Sequence, residues 1–404
     1  MGRSGDGGED RLNDHASGSR SAAQVSMGVD IGSHAAKIAF LGQIGRRLEL
    51  REAEMIELPP GSVVGGVVQN PRAIGRLIAG ELDVSEYKSI PTVTSIPSHI
   101  ASLRWVQLPL LTPDELREAA RYKVKRHLPY SVDDAYVEAS IPVVEPGESA
   151  GESLVIAVPK RAVESRAETI EAAGLNPVGA ELEAQAILRV VERRLSEESV
   201  LWRDASLTII DVGGTNTHMY VVQNQRLQFI RGVRFGGDLI SSAVAEALEI
   251  SRREADVVLN HPESRLMPNG TLVCQFGEDT ILVNVASQID KLIREFMRLL
   301  RYFRSLHPER SYAGILDHAV VCGGLAGLPG FTDYLRGSLG LRVERARPLA
   351  GTVAQLRRGT FQSISERQEA FTVVMGLALA GLKGSMSRAG VTYAANEFAW
   401  SRSA

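Results

Sequence analysis

Two segments of the chain share one pattern of apolar and polar positions. Each is an apolar run that ends in Asp-x-Gly, continues through a few small polar residues and resumes as a second apolar run; the segments are residues 27–41 and 208–222. This pattern predicts a β-hairpin with a tight glycine turn. Because the hairpin occurs twice, with Asp30 in the first copy and Asp211 in the second, it predicts two related halves.

The rest of the chain alternates between short apolar runs and stretches with helical spacing. The expected strands are residues 91–96, 100–108, 154–158 and 319–322. The expected helices are residues 71–80, 113–128, 160–173, 181–197, 238–249, 287–306 and 370–382. A polar stretch follows, from about residue 250 to Gly277. Strands that alternate with helices predict an α/β fold.

The start of the helix 113–128 is the best defined helix boundary. Thr112 is expected to cap it, Pro113 occupies its first position, and Glu115 completes a capping box. One face of this helix is apolar and the other is basic. A solvated surface is the simpler interpretation of the basic face and a docking surface is the alternative; its residues are Arg117, Arg121, Lys125 and Arg126.

Composition limits the class of protein. A chain of 404 residues with 44% hydrophobic residues should fold into at least two domains. Its net charge of −3 shows no excess of basic residues of the kind that favours binding to nucleic acid. Cys274 and Cys322 lie in apolar runs, so we expect buried, inert thiols and a reducing cytoplasmic environment. No apolar run reaches the roughly 18–20 residues that span a bilayer. Residues 1–24 lack the apolar core of a signal peptide and are expected to be disordered.

The first Asp-x-Gly turn has the chemistry of a phosphate site. Asp30 could hold a hydrated Mg²⁺ through water, because carboxylate oxygens suit hard cations. Ser33 and the N–H groups between Gly32 and Ala35 would face a terminal phosphate as an anion-binding nest. Lys37 would place a positive charge beside the same phosphate.

The second turn would line the other side of the same phosphates through Asp211, Gly213, Gly214 and Thr215. A third element, the strand 319–322 followed by Gly323 and Gly324, would let the backbone lie against a flat base or ribose. Each feature is common when taken alone. Their order along one chain favours two halves that close on a nucleotide.

This order of motifs resembles the actin, Hsp70 and hexokinase superfamily, whose phosphate 1, phosphate 2 and adenosine motifs flank a cleft between two lobes. Within it the chain resembles the PilM family of type IV pilus assembly proteins and its relative FtsA. The resemblance covers about residues 26–385. Beyond the nucleotide turns it rests on Ile96-Pro-Ser-His99, Val106-Gln-Leu-Pro109, His127-Leu-Pro-Tyr130, Gly236-Gly237 before a helix, the helix end 301–308, and residues 322–330.

The resemblance implies an actin-like ATPase fold, with two duplicated ribonuclease-H-like lobes and an inserted small α/β subdomain. The implied division is a tail at 1–24, a first lobe (1A) at 25–96 and 154–202, an inserted subdomain (1C) at 97–153, a second lobe (2A) at 203–245 and 318–385, a subdomain 2B at 246–317, and a tail at 386–404.

The resemblance also implies a binding site for ATP with Mg²⁺. The implied ATP-binding residues are Asp30, Gly32, Ser33, His34, Lys37, Gly213, Gly214, Thr215, Asn216, Gly236, Gly237, Lys291, Gly323, Gly324 and Leu325. Asp30 and Asp211 would hold the metal through water. Asp211, with Glu183 or Gln185, would orient a water for hydrolysis, so at most weak ATPase activity is expected. His218 is similar to a histidine that actin places near this water, although an outward-facing strand residue is the simpler interpretation.

The function implied by the resemblance is a cytoplasmic scaffold of the type IV pilus machinery. It would dock the cytoplasmic N-terminal segment of an inner-membrane PilN-like protein in a groove formed between about residues 98 and 136. Nucleotide would change the closure of the lobes and hence what the inserted subdomain presents. Other pilus assembly proteins and a second copy of the chain are further expected partners, and the protein would sit beside the inner membrane through them.

Two other functions stay open at this point. The segment 211–217 resembles the phosphate 1 turn of glucokinase-like sugar kinases, but it is the second copy in the chain, and no convincing general base lies between the two turns. An FtsA-like division scaffold would carry a C-terminal amphipathic membrane helix, which residues 385–404 do not predict.

Overall fold

The computed structural model describes residues 24–82, 86–144, 146–197, 206–223, 226–306, 318–356 and 358–382. Residues 1–23 and 383–404 lie outside this range, so the expected tails do too, apart from Gln24, which opens the first strand. No helix of the described residues is long and apolar enough to cross a membrane.

Most strands belong to two large sheets. The strands are β1 Gln24–Ile31, β2 Ala35–Ile44, β3 Arg47–Glu57, β4 Val63–Val64, β5 Val67–Val68, β6 Pro91–Ile96, β7 Ser102–Pro109, β8 Ala135–Ala139, β9 Ala150–Pro159, β10 Asn176–Leu182, β11 Ser206–Val212, β12 Thr217–Gln223, β13 Arg226–Val233, β14 Arg265–Leu266, β15 Thr271–Phe276, β16 Asp279–Asn284, β17 His318–Cys322, β18 Arg342–Arg345 and β19 Thr352–Ala354.

The helices alternate with the strands along the chain. They are α1 Pro71–Glu81, α2 Pro113–Val124, α3 Lys160–Ala172, α4 Glu183–Glu197, α5 Gly237–Leu248, α6 Arg252–Leu259, α7 Ala286–Leu306, α8 Phe331–Leu339, α9 Arg358–Glu366 and α10 Thr372–Gly381.

The two large sheets have the same strand order. In the first sheet β1, β2 and β3 form an antiparallel meander, and β6 and then β10 add in parallel on the other side of β1. In the second sheet β11, β12 and β13 form the meander, and β17 and then β18 add in parallel beside β11. This duplication confirms the prediction of an α/β fold built from two related halves.

The part of the chain between β6 and β10, two strands that are neighbours in the first sheet, forms a smaller sheet, β7–β9–β8. Its apolar face packs on α2 through Leu116, Ala120 and Val124. The capping box is confirmed, because Glu115 Oε2 accepts a hydrogen bond of 3.0 Å from the N–H of Thr112. On the basic face, Arg117 and Arg121 form ion pairs with acidic residues of the same subdomain, which fits a solvated surface.

Two expected domain boundaries do not fit the strand pairing. β9 continues to Pro159, beyond the expected end of the insert at 153, because it pairs along its length with β7 and β8. Residues 318–385 were expected to lie wholly in the second lobe. Instead, β19 adds in parallel to β3 at the edge of the first sheet, and α10 packs on β1.

Several expected elements also differ. The polar stretch 250–277, for which no helix or strand was predicted, forms α6, β14 and β15, with Val258, Leu266 and Leu272 in the core of the second half. The strand expected at 100–108 begins at Ser102 after a short 3₁₀ turn, and the helix expected from 181 begins at Glu183 because β10 continues to Leu182. The prediction for both cysteines is confirmed, since each is free and buried.

A core between the two sheets joins the halves. It contains Ile96 of the first sheet, Ile209 and Tyr220 of the second, Ala186 of α4 and Leu377 of α10. The two helices approach closely, because a Cβ added to Gly376 would lie well under 3.0 Å from the backbone of Ala186. The cleft between the sheets is therefore closed at one side by a packed core.

Candidate functional site

The two Asp-x-Gly turns have the same backbone arrangement. In the first turn the N–H of Gly32 donates to the carbonyl of Ala35 at 3.0 Å, and in the second the N–H of Gly213 donates to the carbonyl of Asn216 at 3.0 Å. The hairpin register is also the same, because Asp30 pairs with Lys37 and Asp211 with His218. His218 is thus the counterpart of Lys37 in the second half.

Asp30 is buried and has two partners. Its Oδ2 accepts from Lys37 Nζ at 3.2 Å, and its Oδ1 accepts from the Ser95 hydroxyl at 2.8 Å. Ser95 lies on β6, next to β1 in the sheet, so the sheet itself holds the carboxylate in place. Asp30 and Lys37 therefore lie together beside the first turn, as the sequence predicted.

His34 of the first turn reaches across to the second half. Its Nε2 lies 3.1 Å from Asp238 Oδ1 on α5, and its Nδ1 lies 2.8 Å from Ser33 Oγ. A Cβ added to Gly214 would lie well under 3.0 Å from His34 Nδ1, so the ring packs directly on the second turn. The Asp238 hydrogen bond raises the pKa of His34 above its usual value. The two turns are thus in contact through one side chain.

The start of α5 is bound to the second turn. The N–H groups of Gly237 and Asp238 donate to the carbonyls of Gly213 and Gly214 at 3.0 and 2.9 Å. Gly236 is needed there, because a Cβ on it would lie well under 3.0 Å from the Gly214 carbonyl. The structure therefore brings Gly236 and Gly237 to the predicted site.

Behind the turns lies a cluster of three titratable side chains. One ligand atom from each of Glu183, Asp211 and His218 lies within 4.8 Å of the other two. His218 is 5% exposed, so the expectation that it faces outward is wrong; its position opposite Asp211 in the hairpin turns it inward. Among the described residues its Nε2 is buried without a hydrogen-bond partner, which leaves one polar atom of the cluster free for a ligand.

Burial and mutual repulsion raise the pKa values of the carboxyl groups of this cluster. Burial, with the nearby charge of Asp30, raises the pKa of Glu183 to about 7. Burial, with the charge of Glu183, raises the pKa of Asp211 to about 6. The fully buried Arg166 lies within electrostatic range of Glu183 and Asp30, and burial lowers its pKa to about 10. A cationic ligand would relieve the crowding of negative charge.

The structure separates the two candidates for orienting water. Glu183, the first residue of α4, belongs to the cluster, and its Oε2 accepts from the N–H of Ser98 at 2.9 Å. The Gln185 side chain instead turns back to the start of α4, where its Oε1 accepts from the N–H of Leu182 at 3.3 Å. Glu183 is therefore the better placed of the two.

The double glycine after β17 lies beside Asp211. Gly323 has φ of +90°, and a Cβ on it would lie 2.7 Å from Asp211 Oδ1, so this position requires glycine. No heavy atom outside its immediate neighbours lies within 4 Å of a Cβ added to Gly324, which leaves that side of the turn open. Leu325 points into the core of the second half and away from the opening.

Three other predicted site residues lie at the margin. Thr215 is exposed at the tip of the second turn, and Asn216 Nδ2 donates to its hydroxyl at 3.0 Å. Lys291 is exposed on α7, and within the described part of the chain it makes no hydrogen bond or ion pair with either turn. The place of Lys291 in the site therefore stays a prediction.

Sequence reasoning missed Ser95, Arg166 and Asp238 as parts of the site. Ser95 lies in an apolar run and Arg166 in an amphipathic helix, and neither pattern distinguishes these positions from ordinary core or surface residues. Asp238 carried a usable signal, because an acidic residue directly after Gly236-Gly237 is typical of a helix N-terminus.

The model of the type IV pilus assembly protein PilM family matches residues 28–382. The chain belongs to this family. The description of this family is type IV pilus assembly protein PilM. The solved PilM–PilN type IV pilus biogenesis complex is 23% identical and has a TM-score of 0.71, covering 88% of this chain and 98% of that one. The two share the actin-like fold, which confirms the fold prediction.

A curated relative of this PilM family member is the cell division protein FtsA of Streptococcus pneumoniae serotype 2 (strain D39 / NCTC 7466). It is 25% identical over 231 residues, which are 56% of this chain and 49% of FtsA. The chain thus spans about half the length of this relative.

Proposed function

We propose that this protein binds ATP with Mg²⁺ between the two Asp-x-Gly turns and, in the type IV pilus machinery, docks the N-terminal segment of an inner-membrane PilN-like protein. The observation that carries the nucleotide part is the pair of turns with identical hydrogen bonding, each followed seven residues after its Asp by an inward-facing basic side chain, Lys37 or His218.

Glycines support the phosphate-binding role of the turns. Gly32, Gly213 and Gly214 place no side chain of their own over the backbone of the two turns, and N–H groups arranged around such turns attract anions. Lys37 adds a positive charge beside the first turn. Together these groups provide attraction from both lobes, so a bound triphosphate would hold the lobes closed.

The donor set fits Mg²⁺. Asp30 and Asp211 offer oxygen atoms, which Mg²⁺ prefers, and both lie at the ends of equivalent strands beside the turns. When bound, the metal would neutralise phosphate charge. Glu183 and His218 would orient a water near the terminal phosphate. Their crowded, buried setting supports a switch with slow turnover.

The docking part rests on the family and on the inserted sheet. The solved structure with the same fold is a complex of PilM with PilN. Between residues 98 and 136 of this chain, Leu110 and Tyr122 are 65% and 76% exposed. Exposed apolar side chains in the inserted subdomain would suit an apolar peptide segment. Such docking would place the protein beside the inner membrane.

Titration with Mg-ATP by calorimetry tests the nucleotide site. Asp30→Asn and Asp211→Asn should each weaken binding at least tenfold, which is about 1.4 kcal/mol, because each removes a charge that faces the metal. Asp279→Asn, at an exposed position on β16, is the matched control and should bind as the wild type does. Unchanged affinity in both site variants would reject the assignment.

A further inference from the structure

A short 3₁₀ turn, Ser98–Ile100, joins the candidate site to the inserted sheet; we call it the 98–100 turn. It follows β6, which lies beside β1 in the first sheet, and it leads after one residue into β7 of the inserted sheet. Any displacement of this turn is therefore passed directly to the start of β7.

Ser98 is fixed to the site by three hydrogen bonds. Its N–H donates to Glu183 Oε2 at 2.9 Å, and its hydroxyl oxygen accepts from Tyr220 at 3.1 Å and from the N–H of Ala184 at 3.2 Å. Ser98 is 2% exposed, so these bonds are not exchanged with water. The turn thus contacts the first residues of α4 and a buried tyrosine of the second sheet.

His99 stacks on the histidine of the cluster. The rings of His99 and His218 are 5.6 Å apart between centroids and inclined by 9°. The His218 ring also lies 6.2 Å from the Tyr220 ring between centroids. His99 also lies near Gly232 of β13, which pairs with His218. The ring of His99 is therefore the direct neighbour of a side chain that lies within 4.8 Å of Asp211 and Glu183.

The inserted sheet makes a second contact with β13. Trp105 Nε1 of β7 donates to the Leu227 carbonyl at 3.2 Å. Arg226 lies 4.3 Å above the Trp105 ring, and its Nη1 is 3.3 Å from Glu152 Oε2 on β9. The insert, although part of the first half, is thus attached to the edge strand of the second half.

We propose that His99 is a positioning residue that couples nucleotide at the site to peptide docking on the inserted subdomain. The proposal rests on the proposed function, since it needs both ligands. Nucleotide that engages His218 or Glu183 changes the position of His218 and of the Glu183 carboxylate. The ring of His99 and the N–H of Ser98 move with them, because closely packed groups have few alternative arrangements. β7 then moves relative to β13.

Fluorescence anisotropy on the full chain measures this coupling. The probe is a labelled synthetic peptide with the N-terminal sequence of the PilN-like protein from the same organism, titrated with and without saturating Mg-ATP. In the wild type, ATP should change the peptide Kd at least fivefold, within the usual range of allosteric coupling. In His99→Ala the change should fall below twofold. The change is taken as the ratio of the peptide Kd without and with Mg-ATP, so a loss of peptide affinity common to both titrations cancels.

Two variants separate stacking from a merely structural role. His99→Phe keeps a flat ring on His218 and should restore most of the ATP effect. His261→Ala removes an exposed histidine just after α6, outside residues 98–136, and should leave the effect unchanged. Circular dichroism checks folding; if His99→Ala is unfolded, Trp105→Phe, which removes the hydrogen bond to Leu227, should lower the ATP effect instead.

The outcomes distinguish this proposal from the function on which it rests. If the ATP effect persists in His99→Ala, the coupling role of His99 is overturned and the proposed function is not. The same holds if the wild type binds both ligands but shows no ATP effect. Loss of the effect in His99→Phe as well as His99→Ala overturns the stacking argument. If the wild type binds no Mg-ATP or no peptide in the separate titrations, the proposed function fails and the coupling fails with it.

Discussion

At the scale of single residues, His34 is the point where the two halves touch across the phosphate turns. Its Nε2 pairs with Asp238 of α5, and Asp238 also pairs with Arg252 at 2.7 Å. A terminal phosphate between the turns would compete with this ring for the same space. The His34 side chain therefore links the first turn to the second turn and to α5.

The His34–Asp238 pair predicts a pH dependence of stability in the ligand-free protein. The pKa of His34 is raised in the folded state, so its contribution is complete below the unfolded value of about 6.5 and is lost as pH rises through the folded value. His34→Gln should remove this part of the decline in melting temperature between pH 6 and 8. The effect should stay below about 1 kcal/mol, because the pair is half exposed.

His127→Gln serves as the control for this measurement. His127 is also exposed, but it lies just after α2 in the inserted subdomain and not beside the phosphate turns. Its melting temperature should follow pH as the wild type does. If His34→Gln kept the wild-type pH profile, the bridge to Asp238 would contribute nothing to stability in solution.

The repeated turns could be predicted at residue scale, and the neighbours that hold them could not. Asp30 and Asp211 follow from local pattern, and so in principle does His218, because it occupies the same place after its Asp as Lys37 does. Glu183 and Ser95 approach the turns only through pairing of distant strands and helices. Such contacts leave no local periodicity for sequence reasoning to detect.

At the scale of elements, the start of α5 and the second turn behave as one unit. Two N–H groups of α5 donate to carbonyls of that turn, and Gly236 permits the close approach. The helix N-terminus is therefore directed at the turn, where its partial positive charge favours an anion.

Adjacent glycines test this unit. Gly236→Ala should destabilise the protein by about 1–3 kcal/mol, because its Cβ would overlap the backbone of Gly214. Gly237→Ala should stay within about 0.5 kcal/mol of the wild type, because no heavy atom lies within 4 Å of the added Cβ outside its neighbours. Urea denaturation measures both, and equal stabilities would contradict the close approach.

Elements with strong periodicity were predicted well, and short ones were not. The long amphipathic α7 and the capped α2 follow from spacing and capping residues. The short β14, β18 and β19 contain two to four residues each, too few for a pattern, and they exist because a neighbouring strand supplies their hydrogen bonds.

At the scale of the whole molecule, α4 and α10 form the joint between the halves. They pack together inside the core that both sheets share. A movement of the lobes would pivot on this contact, because the backbones of the two helices approach closely at Gly376 and Ala186.

Gly376→Ala tests the joint. Its Cβ would overlap the backbone of Ala186, so we expect a loss of about 1–3 kcal/mol in urea denaturation. Gly80→Ala is the matched control, because Gly80 is exposed within α1 and its added Cβ meets no atom within 4 Å. Alanine there should stabilise the protein by about 0.5–1 kcal/mol through helix propensity. Similar losses in both variants would mean that α4 and α10 do not set the spacing of the halves.

The placement of β19 and α10 affects the order in which the two sheets can fold during synthesis. β3 gains its outer partner from residues 352–354, and Gly28 on β1 is covered by Val374 and Ala378 of α10. The first sheet is synthesised first, but one of its edges and one of its faces stay uncovered until β19 and α10 have been synthesised. The second sheet can be completed once β18 has emerged. The half made later should therefore become native first, and nascent chains halted before residue 350 should remain vulnerable to proteolysis and aggregation in their N-terminal part.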